Sequence, residues 1–534
     1  FDKDIMRPPT PEERRAIQEA RKNRDEDTLA QLQAERQRRE RLDRDQVREM
    51  RKAWLKRMIE TPRPLEEKLT LFWHGHFATS YRTIENSYHM YMQNCLFREH
   101  ATGSFRDLLR GIIRDPAMLA YLNNNQSRKE HPNENLAREI MELFSLGIGN
   151  YTENDIKEGA RALTGYTFED DKFVFQKNNH DEGSKRILGQ AGNFDGDQFV
   201  KIILEQPACS AYITRKLYHA FVRELPPLER AEDSSLDPAI RSAMRDLAGA
   251  FLQSKYELKP VLRRMFLSEH FYSPAFMNEQ IKSPVTLVVG AVRSLNTPVR
   301  DLSILNDALD LMGQNLFYPP SVKGWDGGRS WINTSTLYVR QNILAFLLTG
   351  KRPVGYDPSA ETERYDPSEL LAELERADKA AARDPERVVD YLLKLTLGST
   401  PAHTREPLLA FLKKHDNQLG PDHLRGLLLL ITSMPESAVW RFTAFKSRPS
   451  SACRQMVMPL TPRFGNSARH CSRLKGFVVM VWTHRRLMPT ILGRLRSLEK
   501  DFFPMAVIRK SNSNHKRLPD ESSPAPPAYV SQVF

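Results

Sequence analysis

Apolar side chains return at helical spacing through much of the chain. Leu65, Leu69 and Phe72 stand three or four residues apart, which is the pattern of a helix with one buried face. The same pattern continues to about residue 312, and capping residues such as Thr152 and Asp195 precede several of these segments. We therefore predict a mainly α protein with a multi-helix globular body.

Strand-like composition is limited to residues 166–188, where aromatic and β-branched residues cluster. Within this stretch, residues 173–175 are expected to pair with residues 186–188 across a turn. The predicted fold class is thus mainly α with one small β-hairpin, a long charged N-terminal helix and a disordered C-terminal tail.

The pattern divides the chain into five segments. Residues 1–62 are rich in Glu, Arg and Gln and open with the capping box of Thr10 and Glu13, which indicates a solvated helical arm supported by ion pairs. The other four are a main helical body at 63–350, a linker-like stretch with a short acidic helix at 351–385, a C-terminal helical subdomain at 386–436 and a basic tail at 437–534.

The net charge of +12 comes from that tail. Residues 441–534 hold 17 Lys and Arg against four Asp and Glu, so the rest of the chain is close to neutral. A basic face on the folded body is therefore not indicated, and we expect no specific nucleic-acid binding. The tail has two interpretations, a disordered basic arm that binds polyanions or a frameshifted end without evolved structure.

The first candidate site is the run Phe72–Phe77, in which His74 and His76 flank a glycine among three aromatic residues. Imidazoles carry protons or bind metals near neutral pH. Residues two apart point about 200° apart on a regular helix, so these two can share one ion only if the helix ends at Gly75 or the segment is extended. Because His76 follows Phe72 by four residues, we expect His76 to face the core and His74 to be more accessible.

The second candidate site is a helix that carries Glu134, Arg138 and Glu139. Inward-facing carboxylates are costly to bury unless they are paired, protonated or bound to a cation. One interpretation is a divalent metal site with these ligands: His74, His76, Glu134 and Glu139. The other is a structural network in which Arg138 pairs with acids four residues away.

The third candidate site is the stretch His180–Lys185, in a region where loops commonly deliver functional groups. Asp181 can orient the neighbouring histidine, and Lys185 can bind an anion or a carbonyl oxygen. The alternative is a polar turn without chemistry. The predicted catalytic set draws on all three sites and consists of His74, Glu139, His180, Asp181 and Lys185.

A glycine-rich loop at residues 323–329 carries Lys323, Trp325 and Arg329 and precedes a helix. Backbone N–H groups at a helix start can receive an anion, so these three are the predicted ligand-binding residues. The spacing of a nucleotide-binding loop is absent, and a tight structural turn is the alternative.

Five short motifs occur in one order along the chain, namely Trp73–Phe77, Pro132–Asn135, Ala162–Tyr166, Lys282–Val285 and Val322–Trp325. Together they resemble the bacterial family called domain of unknown function 1800, over residues 45–436. The resemblance implies no defined activity. It implies a partnership with proteins of the family called domain of unknown function 1501, whose genes often lie beside those of its members.

Two functions follow as hypotheses. The first is an enzyme with a His and carboxylate site, with or without a divalent metal. The second is a non-catalytic helical module that binds a partner or acts as a scaffold. No segment reaches the ~18 apolar residues of a membrane span and no secretory signal is visible, so a cytoplasmic location is expected.

Overall fold

The structure, a computed structural model, describes residues 1–226, 235–276, 280–351, 365–398 and 400–440. Within these ranges 20 α-helices form the fold, and the strands occur as three short antiparallel pairs. The prediction of a mainly α protein is confirmed.

The N-terminal segment is helical, as its charge pattern predicts. Helix α1 (Pro11–Asn23) begins at the capping box of Thr10 and Glu13, and α2 (Glu26–Glu60) continues for 35 residues. Ion pairs at three- and four-residue spacing lie along the exposed part of α2. From Val47 onward one face of α2 is buried against other helices, so its second half belongs to the body rather than to a separate arm.

The body consists of short helices that enclose two hydrophobic cores. In chain order the helices are α3 (Pro64–His76), α4 (Tyr81–Ile84), α5 (Ser87–Glu99), α6 (Phe105–Ile112), α7 (Pro116–Tyr121), α8 (Asn135–Glu139), α9 (Glu153–Ala162), α10 (Gly196–Leu204), α11 (Pro207–Phe221), α12 (Pro238–Gln253), α13 (Leu258–Leu267), α14 (Pro284–Leu295), α15 (Leu302–Leu311) and α16 (Thr334–Thr349). Helices α3 and α5–α13 enclose the first core, and α14–α16 close the second core with α2.

A π-helical segment, Ile140–Ser145, follows α8 directly. The Leu146 N–H donates to the Met141 carbonyl, five residues back, at 2.9 Å. Single π turns are uncommon and occur frequently at functional sites. This one follows directly after Glu139, one of the candidate residues.

The strands form two neighbouring hairpins where one was predicted. Strand β1 (Tyr166–Glu169) pairs with β2 (Lys172–Phe175), and β3 (Lys185–Ile187) pairs with β4 (Gln190–Gly192). The expected pairing of residues 173–175 with residues 186–188 is wrong. Each strand instead meets the strand next to it in sequence, because a tight turn follows both β1 and β3 and brings the chain straight back.

A third core lies in the C-terminal helices. These are α17 (Ser368–Ala377), which lies inside the predicted linker-like stretch, α18 (Pro385–Thr396), α19 (Ala402–Lys414) and α20 (Pro421–Ser433). Past α20 the chain stays on the body for a few residues. The Lys282 ammonium donates to the Ser437 carbonyl at 2.9 Å, and strand β5 (Gln280–Ile281) pairs with β6 (Val439–Trp440).

The predicted tail therefore begins a few residues too early, since its first residues contact the body. The remainder of that prediction, for residues 441–534, lies outside the described residues.

Candidate functional site

His74 lies inside the protein and is 1% exposed. Its ring packs against Trp54, Phe317 and Trp325 at centroid distances of 5.3–5.5 Å. The Phe317 N–H donates to its Nε2 at 3.1 Å, so the proton of the neutral ring is on Nδ1. Burial lowers the pKa of His74 to about 3. The ring is therefore a neutral hydrogen-bond acceptor that holds the backbone at Phe317.

His76 is also buried, with 8% of its surface exposed. Its Nε2 bonds to the Phe144 carbonyl at 3.0 Å, which requires a proton on that nitrogen. Burial, aided by the charge of Lys216, lowers the pKa of His76 to about 3. The two histidines thus point to different backbone partners, as expected for residues two apart. The expectation that His74 is the more accessible one is wrong.

The glycine-rich loop packs directly on this pair of histidines. The Trp325 indole lies against Gly75, where an added Cβ would be 3.6 Å from the ring. Gly324 has a φ of +83°, and a Cβ there would come within 2.1 Å of the Gly75 carbonyl oxygen, so only glycine fits. The first and fourth candidate sites therefore meet in space, which sequence reasoning did not predict.

The two predicted ligand-binding cations of that loop are exposed. Lys323 lies 3.9 Å from Asp326. The backbone at Gly328 is already close to an anion of the chain, since a Cβ on this residue would overlap the carboxylate of Glu224. A ligand anion at this loop would therefore meet a negative charge, which favours the structural interpretation of the loop.

Arg138 forms the ion-pair network that the sequence offered as an alternative. Its guanidinium lies 3.2 Å from the Glu134 carboxylate and 2.8 Å from that of Glu153 on α9. Glu134 is therefore engaged, and Arg138 joins the start of α8 to the start of α9.

Glu139 differs from the other candidates. It is half-buried, and it forms neither a hydrogen bond nor an ion pair with any described residue. Burial and the negative charge of Glu142 raise its pKa, against a smaller lowering by Arg138. Glu142 accepts a hydrogen bond from the Tyr151 hydroxyl at 2.6 Å.

A tyrosine from another helix lies near Glu139. The charge of Glu139 contributes, after burial, to the raised pKa of Tyr121 on α7. Neither Tyr121 nor Tyr151 was among the predicted residues. Because Tyr121 reaches the site from a separate helix, no local pattern in the sequence marks it.

The third candidate site is a bonded turn. The His180 Nδ1 bonds to the Thr164 carbonyl at 2.9 Å. Asp181 pairs with Arg161 at 2.7 Å, and this hydrogen bond lowers the pKa of the carboxyl. Lys185 is 1% exposed and donates to three oxygens, those of the Asp181 and Gly183 carbonyls and of the Asn193 side chain.

The second and third sites adjoin each other through their backbones. The Ser127 carbonyl accepts the Gly165 N–H at 3.0 Å, and the Ser127 hydroxyl accepts the Asn133 N–H at 3.0 Å. The Lys129 N–H also donates to the Asn179 carbonyl at 2.8 Å. The second and third candidate sites are therefore joined mainly by main-chain hydrogen bonds rather than by contacts between their candidate side chains.

A metal centre does not form from the predicted ligands. Within the described ranges, no three side chains of His, Cys, Asp or Glu come together as a group that could hold an ion. The predicted set of His74, His76, Glu134 and Glu139 is therefore corrected. Both imidazoles bond to backbone groups through Nε2, and Glu134 pairs with Arg138. Of the four predicted ligands, Glu139 is therefore the one without a bonded partner among the described residues.

Comparison with known protein families gives a match over most of the chain. The family described as "Protein of unknown function (DUF1800)" matches residues 3–439. No curated protein and no solved structure matches the chain. None of the helices in the described ranges combines the length and apolar character needed to cross a bilayer. The match covers most of the sequence, extends the resemblance of the five motifs toward the N terminus, and shows that the chain belongs to the DUF1800 family.

Proposed function

We propose that the chain is an enzyme in which Glu139 transfers a proton to or from the substrate, with Glu142 as its charged neighbour. The observation that carries this proposal is the state of Glu139. It is a half-buried carboxyl with a raised pKa and no bonded partner among the described residues. A carboxyl group whose pKa is raised by partial burial and by a neighbouring carboxylate is a candidate for function.

The surroundings of Glu139 support an acid–base role. A carboxyl with a raised pKa stays protonated closer to neutral pH than an ordinary glutamate, so it can serve as donor and acceptor in turn. Glu142 adds a second carboxylate three residues later, held by Tyr151. Two carboxyl groups in different environments are a recurring arrangement in acid–base enzymes.

The other predicted catalytic residues do not enter this proposal. His180, Asp181 and Lys185 are engaged by neighbouring backbone and side-chain groups, and His74 is neutral and buried. No metal is proposed, because Glu139 and Glu142 provide two carboxylates without a third ligand in the described ranges.

Carbodiimide labelling tests the state of Glu139 without a known substrate. The reagent couples an amine to protonated carboxyl groups, and peptide mass spectrometry reports each site between pH 4.5 and pH 7. We expect labelling of Glu139 to persist to higher pH than labelling of Glu153, whose pKa Arg138 lowers. Loss of labelling at the same pH for both would remove the basis of the proposal.

A panel of glycosides, esters and phosphate esters then tests catalysis. Any turnover found should fall by at least about 100-fold in Glu139→Gln, the usual scale for a general acid or base. The matched control is Glu130→Gln, a change at an exposed acid outside the site. Equal turnover in the two variants would show that Glu139 is not catalytic.

A second function is a non-catalytic module that binds a partner protein. It is favoured by the histidines of the first and third motifs, each of which engages a backbone group and so serves the fold. The partner implied by the resemblance is a protein of the family called domain of unknown function 1501. Co-elution of the two purified proteins in size-exclusion chromatography, together with no turnover on any substrate, would favour this function over the first.

The cytoplasmic location expected from the sequence stays a prediction. Cell fractionation with an antibody against the chain would test it directly.

A further inference from the structure

We propose that α2 and α5 present a surface that binds an exposed segment of a partner protein, in which an aromatic residue is followed by a residue other than proline. The surface consists of Gln46, Tyr88 and Tyr91, and the chain's own residues Phe1 and Asp2 occupy it in this structure. It lies on residues other than those of the proposed acid–base function and does not depend on that function.

The Gln46 side chain bonds to the main chain of the occupant. Its Oε1 accepts the Asp2 N–H at 2.8 Å, and its Nε2 donates to the Asp2 carbonyl at 2.8 Å. A carboxamide carries the same kinds of donor and acceptor as a peptide unit, so these two bonds resemble the pairing of neighbouring strands, a recurring mode of peptide recognition. The Asp2 side chain takes no part in these bonds, so the pairing requires only that the second residue has an N–H.

Buried groups hold the Gln46 carboxamide in the orientation that this pairing requires. Its Nε2 also donates to the Ser87 hydroxyl at 2.9 Å, and that hydroxyl donates to the Asp43 carboxylate. Ser87 and Asp43 are both buried. Because the core fixes the carboxamide, its bonding atoms are in place before a segment binds, which reduces the entropy that is lost on binding.

Two tyrosines of α5 receive the aromatic ring. The Phe1 ring stacks on Tyr91 at a centroid distance of 4.8 Å and lies 5.8 Å from Tyr88, and the two tyrosine rings stack at 6.1 Å. Aromatic pairs at such distances are favourable beyond the area that they bury. Tyr91 is 40% exposed and Phe1 is 61% exposed. Because the contact is open to solvent, another segment can replace Phe1 while the body stays folded.

Fluorescence polarisation of a labelled peptide tests this surface on the full chain. The probe has the sequence of residues 1–6, with an acetylated N terminus and a fluorescein at its C terminus. Since the chain's own segment competes with the peptide, we expect the peptide to bind the Phe1→Ala chain at least about threefold more tightly than the wild-type chain. Equal binding to the two chains, or binding to neither, would overturn the proposal.

Changes in the peptide and in the surface locate the recognition. A Phe1→Ala peptide lacks the ring, and an Asp2→Pro peptide lacks the N–H that Gln46 accepts, so each should bind the Phe1→Ala chain at least about threefold more weakly. Tyr91→Ala, added to the Phe1→Ala chain, should weaken binding of the original peptide to a similar extent. Tyr272→Ala, at an exposed tyrosine outside the surface, should leave it unchanged. Equal binding of all three peptides would show that neither the ring nor the N–H is recognised.

Sedimentation equilibrium distinguishes a partner protein from a second copy of the chain. We expect the wild-type and Phe1→Ala chains to be monomers alike, because the occupant of the surface in the wild-type chain is its own segment. A wild-type dimer that becomes a monomer in Phe1→Ala would show that the surface binds a second copy, and the proposal of a different partner would be wrong.

Discussion

The turn His180–Lys185, which connects β2 to β3, and the segment around Glu139 both carry charged groups, yet they differ in how those groups are bonded. In the turn, the Lys185 ammonium has three oxygen acceptors and Asp181 has Arg161. In the segment, Glu139 has no bonded partner among the described residues. A fully bonded buried charge holds the chain in place, whereas a half-buried carboxyl group with a raised pKa and a carboxylate neighbour is a candidate for a role outside folding.

The largest loss of stability is expected when the bonded Lys185 ammonium group is removed. Lys185→Met should lower the free energy of unfolding by about 3 kcal/mol, because it removes a buried ammonium group whose three hydrogen bonds join Asp181, Gly183 and Asn193. Urea denaturation followed by circular dichroism measures it.

Arg340 on α16 provides the matched control for Lys185. It is 3% exposed, and its Nη2 bonds to the Lys282 carbonyl, while Nε and Nη1 have no hydrogen-bond partner among the described residues. Burial lowers its pKa to about 10, so it stays charged at neutral pH. Arg340→Met should therefore change stability by less than about 1 kcal/mol, because removing an incompletely bonded buried charge offsets the lost bond. Equal losses of stability in Lys185→Met and Arg340→Met would contradict the difference between a fully bonded and an incompletely bonded buried charge.

A slightly smaller effect is expected at His74. His74→Ala removes a ring packed among three aromatic residues and leaves the Phe317 N–H without its acceptor, which should cost about 3 kcal/mol or somewhat less. The catalytic role predicted for His74 implies the opposite, a loss of activity with stability nearly unchanged. His131→Ala, at an exposed histidine, should stay within about 0.5 kcal/mol. If both variants unfold at the same urea concentration, His74 is not a core residue.

The buried histidines also predict a pH dependence. Their folded pKa is lowered to about 3, against about 6.5 in the unfolded chain. Between these values the unfolded chain binds protons that the folded chain does not, so stability falls as the pH is lowered from about 6.5 toward 3. Each histidine contributes up to about 1.4 kcal/mol per pH unit.

His76→Gln measures one of these contributions. Glutamine can still donate to the Phe144 carbonyl but does not titrate. The fall in the free energy of unfolding between pH 6 and pH 4 should therefore be less steep, by the slope of about 1.4 kcal/mol per pH unit that one proton gives. His131→Gln, at the exposed histidine, should leave the decline unchanged. A decline that is identical in the His76 variant would show that the imidazole is protonated inside the fold.

Local features of this fold were predictable and long-range contacts were not. The capping box of Thr10 and the capping residue Asp195 each act within three residues of their own position, so the sequence displays them directly. The contact of Trp325 with Gly75 joins positions 250 residues apart, and no periodicity encodes it.

The same limit explains the outcome for the candidate site. The glutamates were recognised from their place on one helix, but the sequence does not show which of them finds a partner. Arg138 reaches Glu153 on the next helix, and that choice depends on how α8 and α9 pack. The π segment Ile140–Ser145 also departs from the regular 3.6-residue repeat, so the directions of side chains after Glu139 do not follow from that repeat.

The smallest change in stability is expected at Glu139, the carboxyl group without a bonded partner among the described residues. Because the folded-state pKa of Glu139 is raised, the folded protein holds this proton more tightly than the unfolded chain does. Stability from this group is therefore present at low pH and is lost as the pH rises through the folded-state pKa. Glu139→Gln stays neutral, so it should match the wild-type protein near pH 4 and be more stable near pH 7, by less than about 1 kcal/mol. Glu130→Gln should show no such crossover, and a Glu139 variant less stable at pH 7 would mean that this carboxylate has a partner in the fold.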